Sequence, residues 1–324
     1  MRFCKGHSKC WVGIVIFTLW VAPILNPNQS LSADTRIEHD SIGDLEIPNN
    51  VYYGVQTLRA LENFPFDTHT LQHFPNFIVA YAYVKKAAVL ANSELGVLPR
   101  DKMDPIIAAC DEIIGGKLHN QFVEDMIQGG VGTSTNMNVN EVIANRGLEI
   151  MGHSKGEYKF LHPNDDVNLS QSTNDNYPTA AKLAIVMGLK KALKSIDELK
   201  GALKAKATEF KDVIKMGRTE MQDAVPITLG QEFAGFADTI NEAMIQLGQA
   251  QDTFMKVNLG GTAIGTGINI PQGIALWQSK SWLTYGIPFC SSARFGGGFI
   301  GLCQLYSDVG SHEAGWHCNF KDLQ

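Results

Sequence analysis

The 324-residue sequence has no cysteine pair at Cys-x-x-Cys spacing: its six cysteines are Cys4, Cys10, Cys110, Cys290, Cys303 and Cys318. That excludes a zinc knuckle or a dithiol redox motif. Cys110, inside a helical stretch, reads as a small buried apolar residue. The chain also lacks a basic stripe interleaved with aromatics, and its net charge of -6 argues against nucleic acid as a partner. No glycine-rich stretch ends in Lys-Ser/Thr. The turn Asn258 to Gly267 is therefore not a nucleotide-phosphate loop. The apolar run from Trp11 to Leu25 is too short to cross a bilayer comfortably. Arg2, Lys5 and Lys9 precede it and a small-residue exit ends at Ala33, the pattern of a secretory signal peptide over residues 1–33. The plainer alternatives are a mis-assigned start or an uncleaved anchor. Contact with a membrane is expected only through this leader.

What remains is ordinary for a soluble globular protein, with 44% hydrophobic and 19% charged residues and room for two domains. Arg36 to Phe66 reads as extended segments and turns. Phe77 to Leu95 has helical spacing, with Ile78, Ala82, Ala88 and Val89 on one face and Lys85-Lys86 on the other. Further helices are expected over Pro99 to Gly115 and over Asn136 to Gly152, which has glycine in a C-terminal place. Two much longer patterns follow. Leu189, Leu193, Ile196, Leu199, Leu203, Ala207, Phe210 and Ile214 recur at spacings of three and four within Thr179 to Lys215. Leu229, Phe233, Phe236, Ile240, Met244, Leu247, Phe254 and Val257 do so within Ile227 to Leu259. Helices this long cannot bury their stripes in one small domain, so they imply a bundle or an oligomer. From about Gly273 the helical periodicity stops.

Three polar stretches lead into these helices. Gly129-Gly130-Val131-Gly132-Thr133-Ser134-Thr135-Asn136 is a glycine-rich turn with hydroxyls. Ser170-Gln171-Ser172-Thr173-Asn174-Asp175-Asn176-Tyr177-Pro178 packs hydroxyls and amides into a turn, and Pro178 is expected to open the helix. Gly217-Arg218-Thr219-Glu220-Met221-Gln222-Asp223-Ala224-Val225-Pro226 is expected to be a polar turn at another helix start. Alone, each is a capped helix start. Together they could converge on a small polyanion, because helix N-termini offer free N–H groups and partial positive charge. The expected ligand is a dicarboxylate. His162-Pro163-Asn164-Asp165 reads as a loop whose side chains bond their own backbone.

These three stretches resemble the motif regions of the aspartase/fumarase superfamily, and the similarity runs from about Arg36 to about Pro271. Arg36-Ile37-Glu38, the segment Tyr52 to Ala60, and Gly156-Glu157-Tyr158 before His162 look like the aspartase branch; fumarases typically carry His where this chain has Glu220. The resemblance implies a mainly α, aspartase/fumarase-like fold. It would place a small N-terminal helical lyase domain over 34–174. The first two long helices of an incomplete central helical bundle would follow over 175–271, and then a divergent tail over 272–324. It also implies homotetramers whose active sites borrow residues from three subunits. Relatives are usually cytoplasmic, which opposes the export signalled by the leader.

The implied chemistry is conversion of L-aspartate to fumarate and ammonia by general-base elimination, with no organic cofactor and no metal. Thr133, Ser172 and Thr173 would hold the reacting carboxylate, where charge grows as an enediolate-like dianion. Asn174 and Thr219 would reach the amino group, and Gln222 would support its loop; Glu220 receives no role. A matching loop in relatives forms a secondary anion site, which would fall on His162, Asn164 and Asp165. The family's serine base lies in a glycine-serine-serine loop followed by Met-Pro and Lys-x-Asn. No such stretch occurs here, and Ser291-Ser292-Ala293-Arg294-Phe295 is the nearest imitation. No residue of this chain is therefore expected to be the catalytic base. The tail reads as a frameshift or a truncated gene product, with little turnover expected. The alternatives are a fumarate hydratase-like enzyme and a non-catalytic helical remnant that binds dicarboxylates.

Overall fold

The computed structural model describes residues 34–66, 69–268, 270, 271 and 274, with short backbone segments at 290–291, 294–295 and 298–299. The leader and most of the tail, including Ser292 and Ala293 of the nearest imitation of the serine loop, lie outside the described residues.

The chain begins with an antiparallel hairpin, β1 (Thr35–Asp40) and β2 (Gly43–Pro48), in a register that pairs Arg36 with Ile47. The hairpin aims one carboxylate, and a later helix (Thr133–Ile150) a second, at the start of α1 (Val55–Asn63). Glu38 accepts from Val55 N–H at 3.0 Å and Tyr158 O–H at 2.8 Å. Glu141 accepts from the N–H groups of Gly54, Gln56 and Thr57 and from the Thr57 hydroxyl. Two carboxylates therefore satisfy the orphan donors of a helix N-terminus, where negative charge is favoured. A Cβ at Gly54 would collide with the Glu38 carboxylate, so this close approach requires glycine. The sequence indicated extended segments and turns over Arg36 to Phe66; the strands agree with that and α1 is a correction. Its helical state is fixed by Glu38 and Glu141, distant in sequence.

α2 (Pro75–Glu94), α3 (Arg100–Ile114) and α4 (Thr133–Ile150) form the core of the first part. Tyr81, Val84, Ala88, Ile106, Cys110, Ile113, Val142, Ile143 and Leu148 are all buried there. Cys110 is a free, buried thiol, and burial pushes its pKa up to about 12, as expected of an inert packing residue. The lysine face predicted for α2 does not exist, because the helix is enclosed all round. Lys86 is buried and pairs with Asp111 at 2.5 Å. Lys85 is fully buried and donates to amides of two other elements.

α5 (Thr173–Glu209) has 37 residues, about 55 Å of helix at 1.5 Å per residue. It starts before Pro178 rather than at it. Ser172 and Asp175 form a capping box that fixes the start at Thr173. Pro178 cannot donate to the carbonyl of Asn174 four residues back. The Asn258 amide donates there instead, at 3.1 Å. Beyond α5 comes a second hairpin, β3 (Ile214–Thr219) and β4 (Gln222–Thr228), then α6 (Leu229–Phe254). α5 packs along α6. Past Leu183 no residue of α5 is buried, and Leu199, Phe236 and Ile245 are each about half exposed or more.

Candidate functional site

Two of the three polar stretches come together. α4 starts behind Gly132, which sits in the left-handed region at φ +84°. The Tyr177 ring of α5 lies where a Cβ at Gly132 would fall, so this glycine lets the two helix starts touch. Across the contact, the Asn136 amide donates to the Thr173 hydroxyl oxygen at 3.2 Å. Thr133 is exposed, and its hydroxyl donates to the Gly130 carbonyl at 2.7 Å. Ser172 and Thr173 are half-buried, and Ser172 Oγ accepts from Asn174 N–H at 3.3 Å. The Asn174 side chain donates to the Ala263 carbonyl at 2.7 Å. Asp175 accepts from Ser172 N–H and from the N–H groups of Gly260 and Thr262, and burial raises its pKa. The glycine-rich turn 258–263 is thereby clamped beneath α5.

Beneath these helix starts lies a buried polar network that sequence reasoning missed. Lys85 donates to the side-chain oxygens of Asn136 and Asn168, both at 2.7 Å. The Asn176 amide donates to the same two oxygens at 2.9 and 3.2 Å, and its own oxygen accepts from Tyr81 O–H at 2.8 Å. Burial lowers the Lys85 pKa to about 7 and raises that of Tyr81. The only sequence signal was the density of asparagines: Asn136, Asn168 and Asn176 stand on different elements and meet only in the fold. Nearby, Glu124 is buried with neither carboxylate oxygen bonded. Burial, then the neighbouring Glu141, push its pKa up to about 9.

The third stretch is elsewhere. Thr219 closes β3 of the second hairpin and pairs with Gln222; it is not at a helix start. Glu220 and Met221 form the turn, with φ of 49° and 62°, the backbone of a type I′ hairpin that matches strand twist. Within one chain the whole length of α5 separates Thr219 from Ser172. A six-residue strand folded straight back would recover only about 20 Å of it. Within one chain two of the three stretches touch and the third stands apart from them.

The His162 loop is a tight helical turn, Pro163–Val167. His162 Nδ1 accepts from the N–H groups of Asn164 and Asp165 at 3.2 and 3.1 Å. The two backbone donors that an anion would use are thus engaged by the loop's own side chain.

Helix starts that bear hydroxyls and face each other are places where free N–H groups and partial positive charge favour anionic groups. Residues 43–283 match the family model described as Lyase, and the chain belongs to that family, the aspartase/fumarase lyases. Among curated relatives, the aspartate ammonia-lyase of Pseudomonas aeruginosa is 57% identical over 242 residues, covering 74% of this chain and 51% of its own length. That of Escherichia coli is 50% identical over 243 residues, covering 75% and 51%. Among solved structures, the fumarate lyase:delta crystallin of Brucella melitensis is 51% identical with a TM-score of 0.78, over 80% of this chain and 56% of that one. The class II fumarase of Schistosoma mansoni is 38% identical with a TM-score of 0.74, over 78% and 53%. The chain spans about half the length of the curated relatives it matches.

Proposed function

We propose that this chain supplies the carboxylate-binding half of an aspartate ammonia-lyase site, for conversion of L-aspartate to fumarate and ammonia. The carrying observation is the contact between the two helix starts that bear Thr133, Ser172 and Thr173, made by the Asn136–Thr173 bond and the approach of Tyr177 to Gly132. In the elimination a base takes a proton from the carbon beside the reacting carboxylate. The electron pair passes through that carboxylate as an enediolate-like group and forms the carbon–carbon double bond as the carbon–nitrogen bond breaks. Hydroxyl donors fixed before the reaction favour the charge that develops. The ammonium side would be met by Asn174 and by Thr219. Because Thr219 lies at the far end of α5, we propose that the hairpin tip of another copy supplies it. The exposed apolar residues along α5 and α6 would be covered in that homo-oligomer, a tetramer as the resemblance implies.

The placement of Thr219 away from the paired helix starts within one chain favours a second reading: dicarboxylate binding with little or no turnover. Release of fumarate from L-aspartate, with malate offered in parallel, separates the two. Steady release from aspartate supports the lyase reading. Turnover of malate alone supports a hydratase. No turnover of either leaves the binding reading in front.

A further inference from the structure

We propose that Lys85 is a positioning residue that sets the direction of the hydrogen bonds beneath the site, so that the Thr173 hydroxyl is left to donate outward. The inference rests on the dicarboxylate reading of the two helix starts.

An ammonium has three donors and no acceptor, and a neutral amine keeps two N–H donors, as many as the two amide oxygens it faces. Lys85 is fully buried, and its partners are the oxygens of Asn136 and Asn168, each at 2.7 Å. A side-chain amide has one acceptor end and one donor end. With its oxygen held by Lys85 and by the Asn176 amide, Asn136 must turn its NH2 to the opposite side. There it meets Thr173 Oγ1 at 3.2 Å and Asn168 Oδ1 at 3.2 Å. Asn168 likewise presents its oxygen to three donors, from Lys85, Asn136 and Asn176. The hydroxyl of Thr173 receives a bond from inside the protein, and its own proton is free to point at the half-exposed surface. Without the lysine, Asn136 can flip. Its oxygen would then accept from Thr173, and the hydroxyl would turn its proton inward and its lone pairs toward an incoming carboxylate.

The groups around Lys85 agree with a role in orientation. Its neighbours are the Tyr81 ring of α2, 5.8 Å away, the Cys110 thiol of α3 and the Asp175 carboxyl of α5. Its hydrogen bonds run to amides, not to a carboxylate, which would have taken its protons without fixing any amide.

The test is a double-mutant cycle on succinate affinity, measured by calorimetry with the full chain. In the wild-type chain Thr173→Val should weaken binding about 10-fold or more, the worth of a hydroxyl bond to a charged group. In a Lys85→Met background the same substitution should change affinity by less than about 2-fold, because the hydroxyl no longer donates outward. Equal losses in both backgrounds overturn the proposal. If Lys85→Met does not fold, Asn136→Asp, which keeps an oxygen for Lys85 but turns its other oxygen to Thr173 as an acceptor, must show the same loss of coupling. A wild-type chain with no saturable succinate binding sinks the dicarboxylate reading instead. The bond direction is then read from the 15N-labelled Asn136 side-chain amide. Its protons should be protected from exchange in wild type and lose that protection in Lys85→Met; unchanged protection refutes the role of the lysine.

Discussion

Replacing Glu124 by Gln should stabilise the protein at neutral pH and flatten its pH dependence. Glu124 is 2% exposed and its carboxyl oxygens make no hydrogen bond. Burial, reinforced by Glu141, raises its pKa from 4.5 to about 9. In the fold it keeps a proton that the unfolded chain releases. Stability from this group is fully present below pH 4.5 and is lost as pH rises toward about 9. At 1.36 kcal/mol per unit, the span from about pH 5 to about pH 8 amounts to about 4 kcal/mol. Relaxation around a buried charge reduces this, and half of it, about 2 kcal/mol, is the working expectation. That corresponds to about 4–8 °C in Tm for a domain of this size. Thermal unfolding of wild type and Glu124→Gln across this range should give curves that converge at acid pH and separate as pH rises, the variant melting higher. Parallel curves, or a variant that melts lower throughout, would refute the reasoning.

Other outcomes follow from single contacts. Gly132→Ala places a Cβ in the left-handed region and against the Tyr177 ring. It should cost about 1–2 kcal/mol for the backbone and about 1–3 kcal/mol for overpacking, seen in denaturant unfolding, and should weaken succinate binding. Asn258→Ala leaves the Asn174 carbonyl without the donor that replaces Pro178; a loss of about 1 kcal/mol is expected, and Asn258→Ala combined with Pro178→Ala should recover part of it. If the leader is genuine, expression of the full sequence in a bacterial host should give periplasmic protein whose first residue lies near Asp34, as read by N-terminal sequencing. Cytoplasmic protein beginning at Met1 would remove the export proposal.

The long helices were legible because leucine and its relatives recur at spacings of three and four from Leu189 to Ala207 in α5 and from Leu229 to Phe254 in α6, a pattern no local exception can hide. The starts of α4 and α5 were legible in kind, through Gly132, Ser172 and Asp175, but the start of α5 was misplaced. Pro178 looked like a helix opener, and the donor that makes it tolerable is Asn258, eighty residues away. α1 was missed for the same reason: Glu38 and Glu141 hold its first turn, and neither lies within it. The Thr219 stretch was read as a helix start because its polar residues precede an apolar run. The strand pairing with 222–228 that decides otherwise is a property of the hairpin, not of the residues singly. Lys85 and Lys86 were placed outside because charge on a helix usually faces water. Two asparagines and an aspartate on other elements make their burial possible.

The central claim is that a dicarboxylate sits on the paired starts of α4 and α5. Titration of the 15N-labelled chain with succinate, followed by backbone amide shifts, tests it most directly. Saturable shifts that are largest at Thr133, Ser172, Thr173 and Asn174, and absent in Ser172→Ala combined with Thr173→Val, are predicted. Shifts centred elsewhere in the chain, or none at saturating succinate, would contradict it.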